Sequence, residues 1–179
     1  DKAGKPNIMT VAWGGICCSK PPCVAVSLRK ATFTYGNIVA WKAFTVNVPS
    51  ESHCREADYV GIVSGRDTDK FAATGLTPVR GEFVDAPYVK EFPLVLECRL
   101  LRAVEIGLHT QFIGEIVDVK ADEAVLSADR DGAVLGTGNL PDMGKVRPIL
   151  YAPETGTYHG VGEGLGRAYN VGKTIGKQG

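Results

Sequence analysis

Between positions 27 and 34 the chain reads Ser27-Leu28-Arg29-Lys30-Ala31-Thr32-Phe33-Thr34, two cations and three hydroxyls within eight residues. That composition suits a phosphate. Hydroxyls and backbone amides at a helix start act together with the positive end of the helix dipole, and Arg29 or Lys30 adds a full charge. A second reading stays open on these residues alone: Thr32 or Thr34 only caps a helix, and both cations are solvated. The turn Ser64-Gly65-Arg66-Asp67-Thr68-Asp69-Lys70-Phe71 brings further cations and hydroxyls. Taken alone, it is an ordinary capped helix start with an exposed lysine.

Other chemistries fail on spacing. Gly160, Gly162, Gly164 and Gly166 alternate strictly, and Leu165 and Arg167 stand where a dinucleotide fingerprint needs its last glycine. Gly172-Lys173-Thr174 ends like a phosphate-binding loop, but the first glycine of that motif would fall on Arg167. His53, His109 and His159 lie far apart without paired cysteine ligands, so no metal site is expected. No G-x-S-x-G elbow anchors serine hydrolysis. The five cysteines, Cys17, Cys18, Cys23, Cys54 and Cys98, are odd in number and form no C-x-x-C pair. They point to a reducing compartment and a cytoplasmic location. Each reads first as a small buried hydrophobe, with a redox dithiol as the alternative.

The elements that must position the two corners are mostly strands. Cys23 to Leu28, Phe44 to Val48, Leu94 to Ala103 and Thr110 to Val119 are rich in Val, Ile, Leu, Phe or Thr and bounded by Pro, Gly or charge. Leu150 and its neighbours add a short candidate. Asn7 to Trp13 alternates like a half-buried strand and follows Asp1 to Pro6, which reads as a hairpin turn. Such a turn needs a strand before it, so the domain's first strand is expected ahead of Asp1. Helices are expected over Tyr35 to Lys42 and Glu56 to Val63, with a short turn from Thr68 to Ala73 capped by Asp67. Without a regular βαβ rhythm, this pattern argues for an antiparallel barrel over a parallel sheet. Asp129 to Gly144 reads as an exposed loop. Gly160 to Gly179, with seven glycines, reads as mobile backbone. The expected organisation is one domain over 1–179, with a Gly-rich tail from about 154.

The 179 residues carry twenty basic and twenty acidic side chains, a net charge of zero. A generally basic surface for wrapping nucleic acid is thereby excluded. The longest uncharged stretch, Pro6 to Ser19, is interrupted by Gly14 and Gly15 and falls short of the roughly 20 apolar residues of a membrane span. Neither nucleic acid nor membrane is an expected partner.

Five segments carry a resemblance in order: Asn7 to Trp13, Ser27 to Asn37, Phe44-Thr45-Val46-Asn47, Ser64-Gly65 to Asp69-Lys70-Phe71, and Gly107-Leu108-His109-Thr110-Gln111-Phe112-Ile113-Gly114-Glu115. Together they resemble the flavin reductase-like family of FMN-binding split barrels, from the first residues to about Pro153. The resemblance implies a mainly β fold with peripheral helices, a six-stranded antiparallel Greek-key split β-barrel. It also implies a homodimer with one non-covalent FMN per subunit near the dimer interface.

By position, Asn7, Trp13, Thr34, Lys70 and His109 match residues that line the flavin in this family, and Tyr151 stands where another aromatic is expected. Ser27 to Lys30 match cofactor contacts, with Arg29 and Thr32 as the phosphate partners. In such a site Trp13 or Tyr151 would supply the flat apolar contact, and Thr34 and Asn7 would hold the ribityl chain and phosphate. Lys70 would place charge near the phosphate or the pyrimidine edge. His109 is the candidate catalytic residue. Many flavin reductases of this kind have an acidic residue just before that histidine; here it is Leu108, so hydrogen bonding suits His109 better than general acid catalysis. The implied function is electron transfer at bound FMN, fed by NADH, NADPH or a redox protein. An NAD(P)H-dependent flavin reductase, including the reductase half of a two-component monooxygenase, and a non-catalytic flavin store stay open as alternatives.

Overall fold

A computed structural model describes residues 1, 3–127 and 140–175. Strand β2 (Pro22–Arg29) is preceded by the edge strand β1 (Gly14–Ser19). Successive strand side chains point to opposite faces. Val24, Val26 and Leu28 accordingly pack into one core cluster with Ile38, Phe44, Cys98 and Phe112, while Cys23, Ala25 and Ser27 occupy the other face. Two 13-residue strands, β6 (Leu94–Ile106) and β7 (His109–Ala121), and the shorter β3 (Ala43–Val48) complete a five-stranded antiparallel sheet in the order β1-β2-β7-β6-β3.

The mainly β architecture with helices is as expected, but the six-stranded Greek-key split barrel is not formed. The sheet is open, with β1 and β3 as its edges. The reason lies in Asn7 to Trp13, which joins no ladder. Side chains hold this segment instead. Ile8 packs on a second cluster of Phe71, Leu76, Val89 and Phe92, Met9 packs on the main core, and the Thr10 hydroxyl donates to the Ala57 carbonyl. The unexpected strand is β1, whose glycine pair reads as a break in sequence. At Gly14 a Cβ would lie 2.9 Å from the Ala25 carbonyl oxygen, so the missing side chain is what lets β1 close onto β2.

Helix α1 (Phe33–Trp41) starts two residues earlier than expected and ends at Lys42, which adopts φ 55°. Helix α2 spans Cys54–Ile62 and α3 spans Lys70–Thr74. Asp69, not Asp67, caps α3, its carboxylate accepting the Ala72 amide at 3.1 Å. The short strands β4 (Pro78–Arg80) and β5 (Pro87–Val89) pair with each other. After α4 (Met143–Val146), strands β8 (Ile149–Ala152) and β9 (Thr157–Gly160) form a hairpin. The Gly-rich tail expected from about 154 therefore begins as ordered structure. His159 sits in β9, sharing a hydrogen bond with the Thr157 hydroxyl at 2.9 Å. Of the loop expected over Asp129 to Gly144, residues 129–139 lie outside the described residues; Pro141 then bridges Leu126 and α4 begins. Among the described residues no helix is long and apolar enough to cross a membrane.

Candidate functional site

Strand β2 ends at Arg29 and a tight turn leads into α1. The Thr32 hydroxyl closes that turn from both sides: it donates to the Arg29 carbonyl at 2.9 Å and accepts the Tyr35 amide at 3.4 Å. The first-turn amides of Phe33 and Thr34 have no acceptor within the helix. Among the described residues the Arg29 guanidinium has no partner either, and it is exposed. Lys30, also exposed, pairs with Glu105 at 2.6 Å; the hydrogen bond to that carboxylate raises the lysine's pKa.

The second turn folds onto the first. Arg66 donates to the Ala31 carbonyl at 2.9 Å and lies over the Phe33 ring, 5.8 Å from its centroid. Asn7 Nδ2 donates to Thr34 Oγ1 at 2.8 Å. Gly65 makes this convergence possible: a Cβ there would overlap Asn7 Oδ1 and lie 2.8 Å from Phe33 Cδ1. Three segments distant in sequence thus meet at the start of α1.

Beside them lies an aromatic pair. The Ser27 amide donates to the Trp13 carbonyl at 2.8 Å, and Arg29 stands opposite His109 in the β2–β7 ladder. The rings of Trp13 and His109 meet edge to face, with centroids 6.4 Å apart and planes at 69°. Trp13 is 53% exposed, a large apolar plane left in solvent. Next to His109, the Thr110 hydroxyl is buried and without a partner.

Two of the expected residues sit apart from this corner. Lys70 is buried, and its ammonium donates to the Val60 carbonyl at 2.7 Å; burial lowers its pKa. Tyr151 packs on Tyr158 with ring centroids 5.2 Å apart. The Tyr158 hydroxyl donates to Asp58 at 3.0 Å, and burial, followed by that carboxylate, pushes its pKa up to about 12. Tyr151 shares with Asn7 and Thr34 the wall of a cavity of about 850 Å³ that runs between the Asn7 segment and the free edge of β3. None of Arg29, Lys30 and Thr32 lines that cavity, so it is not where the corner's cations would meet an anion. Arg66 and Gly65 are the residues sequence reasoning passed over. The turn carries two cations in sequence, Arg66 and Lys70, and the structure brings Arg66 to the β2–α1 turn.

Arg29, the remaining donors of Arg66, the Thr34 hydroxyl and the first amides of α1 form a set suited to a phosphate, on a turn that Thr32 closes. The exposed Trp13–His109 pair adjoining them suits a flat heteroaromatic ring. Fold and site therefore define a β-sheet protein able to hold a phosphate-bearing aromatic group.

The family model for the flavin reductase like domain matches residues 1–154, and the chain belongs to that family. Flavoredoxin of Desulfovibrio vulgaris (Miyazaki F) is 53% identical in a superposition with TM-score 0.88, covering 97% of this chain and 88% of that one. Flavoredoxin from Methanosarcina acetivorans is 30% identical, with TM-score 0.82 and coverage of 94% and 84%. The reductase component of 4-nitrophenol 4-monooxygenase/4-nitrocatechol 2-monooxygenase from Rhodococcus opacus is 27% identical over 126 residues, 66% of this chain and 60% of that protein.

Proposed function

We propose that this chain is an electron-transfer flavoprotein of the flavoredoxin type, holding FMN where the β2–α1 turn meets the Gly65–Arg66 turn. The observation that carries this reading is the convergence of those two turns beside an exposed Trp13–His109 pair. When bound, FMN supplies a ring that takes up a hydride or electrons from a donor and passes them on. Arg29, Lys30 and the α1 amides hold the phosphate, and Thr32 fixes the turn that presents them. Thr34 and Asn7, already joined to each other, orient the ribityl chain. Trp13 offers its plane to the ring, while Ser27 and His109 offer hydrogen bonds to its edge. Lys70 acts from behind, tying α3 to α2, and Tyr151 borders the neighbouring cavity.

Val104, Ile106 and Leu108 are exposed apolar side chains on the β6–β7 arm, at the same end as Trp13. We assign this face to a second copy of the chain, giving a homodimer with the ring near the interface. Its electron donor is NADH, NADPH or a redox protein, and the five cysteines, odd in number and without a C-x-x-C pair, support a cytoplasmic location. The Rhodococcus opacus likeness supports a second reading, an NAD(P)H-dependent flavin reductase. The test is an absorption spectrum of the purified protein with FMN, before and after anaerobic NADH or NADPH. A bound flavin bleached only by a redox-protein donor supports the carrier. Rapid turnover with added free flavin supports the reductase, and no uptake of FMN refutes both.

A further inference from the structure

The β1–β2 hairpin brings two thiols into register beside its turn, at the end of the hairpin away from the flavin corner. Cys18 and Cys23 are Cα partners across the ladder. Antiparallel partners lie about 4.5–5.5 Å apart at Cα, within the roughly 4.4–6.8 Å that a disulfide spans. Neither strand would have to move far. The register shifts between Ile16 and Cys18, so Cys17 is the extra residue of a bulge and stands outside the pairing. Cys18 is exposed and Cys23 only 3% exposed, so one thiol of the pair faces solvent and the other lies behind it. The two side chains are within hydrogen-bonding reach; burial first, then the nearby Cys18, raises the Cys23 pKa. The exposed Cys18 is thus the thiol an external reagent meets first.

We propose that Cys18 and Cys23 form a reversible dithiol–disulfide couple that exchanges with small-molecule disulfides. Cys18, as thiolate, attacks one sulfur of the disulfide RSSR. The S–S bond breaks, one RS⁻ leaves and takes up a proton, and Cys18 carries the mixed disulfide. Cys23 then loses its proton and attacks the Cys18 sulfur, expelling the second RS⁻, which is protonated in turn. The protein loses two protons and two electrons, and RSSR takes them up to become two RSH. The loop closed by this bond is short, so it removes little chain entropy from the unfolded state. That marks the bond as a switch that can be reopened, not a structural staple. Cys98 is fully buried, and burial pushes its pKa up to about 12, which keeps it out of the exchange.

The couple does not depend on FMN. On β2, Cys23 and Ser27 are four residues apart, roughly 13 Å along the strand, so the hairpin tip is separate from the proposed flavin corner. The test is to equilibrate the purified protein, with and without FMN, in glutathione buffers of increasing oxidised fraction. Acid quenching, alkylation and peptide mass mapping then count its thiols. The expected result is loss of two alkylatable thiols, a mass decrease of about 2 Da and a Cys18–Cys23 linked peptide, all reversed by dithiothreitol. Cys17→Ser keeps this behaviour. Cys18→Ser loses it while retaining the wild-type far-UV spectrum and melting temperature. Retention of all thiols at the most oxidising ratio would overturn the proposal, as would a mapped bond involving Cys17, or a stable single glutathione adduct. The outcome is the same in either FMN state, so failure of the flavin reading is seen separately, as absence of FMN uptake.

Discussion

The chain gathers polar and charged groups in two places, and it treats them in opposite ways. Around Glu97 every group is answered from within the fold. The carboxylate is fully buried and accepts the amides of Glu82, Phe83 and Val84 at 3.1, 2.8 and 3.1 Å. Lys120 lies 3.3 Å away and also reaches Glu82 and Asp118. At the β2–α1 corner, one threonine hydroxyl and one arginine hydrogen bond close the structure, the first amides of α1 have no acceptor within the helix, and Arg29 and Trp13 are exposed. Binding capacity is what remains after the fold has satisfied its own polar groups. The richer cluster is therefore the structural one, and the sparser cluster keeps the capacity that the proposed FMN site would use.

The largest effect expected from this contrast is at Glu97. Glu97→Ala strands three amides and leaves Lys120 with Glu82 and Asp118 alone, and it should cost about 3–5 kcal/mol in denaturant unfolding. FMN affinity of the protein that remains folded should be unchanged. Burial alone would raise the Glu97 pKa, but the amides of Phe83, Glu82 and Val84 and the Lys120 ammonium outweigh it and hold the carboxyl below its usual range. A depressed folded-state pKa means that this stabilisation is complete above the unfolded value, about 4.3, and is lost as pH falls through the folded one. Wild-type stability should therefore fall more steeply than that of Glu97→Gln below about pH 4.3. Parallel acid titrations of unfolding free energy would contradict this.

Gly65→Ala tests the corner itself. The new methyl must displace Asn7 or the Phe33 ring, at about 1–3 kcal/mol for overpacking. Unlike the change at Glu97, it should weaken FMN binding as well as stability. Equal FMN affinities for wild type and variant would show that the meeting of the two turns has no part in the site.

Lys70 and Thr34 sharpen the comparison because they separate the two effects. Lys70→Met removes the donor to the Val60 carbonyl and should lower stability by about 1 kcal/mol with FMN retention unchanged. Thr34→Ala should loosen FMN by about tenfold, the equivalent of one lost hydrogen bond, and shift stability little. Fluorescence titration of FMN beside thermal melts of both variants distinguishes the roles. The opposite pattern would return Lys70 to the cofactor.

Strands β2, β3, β6 and β7 were legible in the sequence because they are rich in Val, Ile, Leu, Phe or Thr and bounded by Pro, Gly or charge, α1 because Thr32 offers a cap, and α2 because its pattern closes before Gly65. Asn7 to Trp13 shows where that reasoning stops. Its alternation suggests a strand with one buried face, yet the neighbours Ile8 and Met9 pack on two different clusters, and alternation cannot say whether a neighbouring backbone will complete a ladder. The open sheet follows from that missing information. In the site, the β2–α1 turn was readable from its hydroxyls and cations. What could not be read was which cation of the second turn faces the first. Arg66 and Lys70 stand four residues apart, and only the packing of α3 against α2 buries one and frees the other.

The smallest effect belongs to the cations at the corner. Arg29→Ala should leave the melting temperature unchanged, since no described residue relies on that guanidinium, yet it should lower FMN affinity and flatten its dependence on salt. Lys30 is the finer test, because Glu105 competes for its ammonium. If Lys30 serves the phosphate, Glu105→Ala releases it and removes a like charge from the approaching anion. FMN binding should then tighten by about two- to threefold, the scale of an exposed pair. Unchanged affinity in Glu105→Ala, with loss in Arg29→Ala, would leave Arg29 as the phosphate ligand of β2 and reduce Lys30 to a surface ion pair.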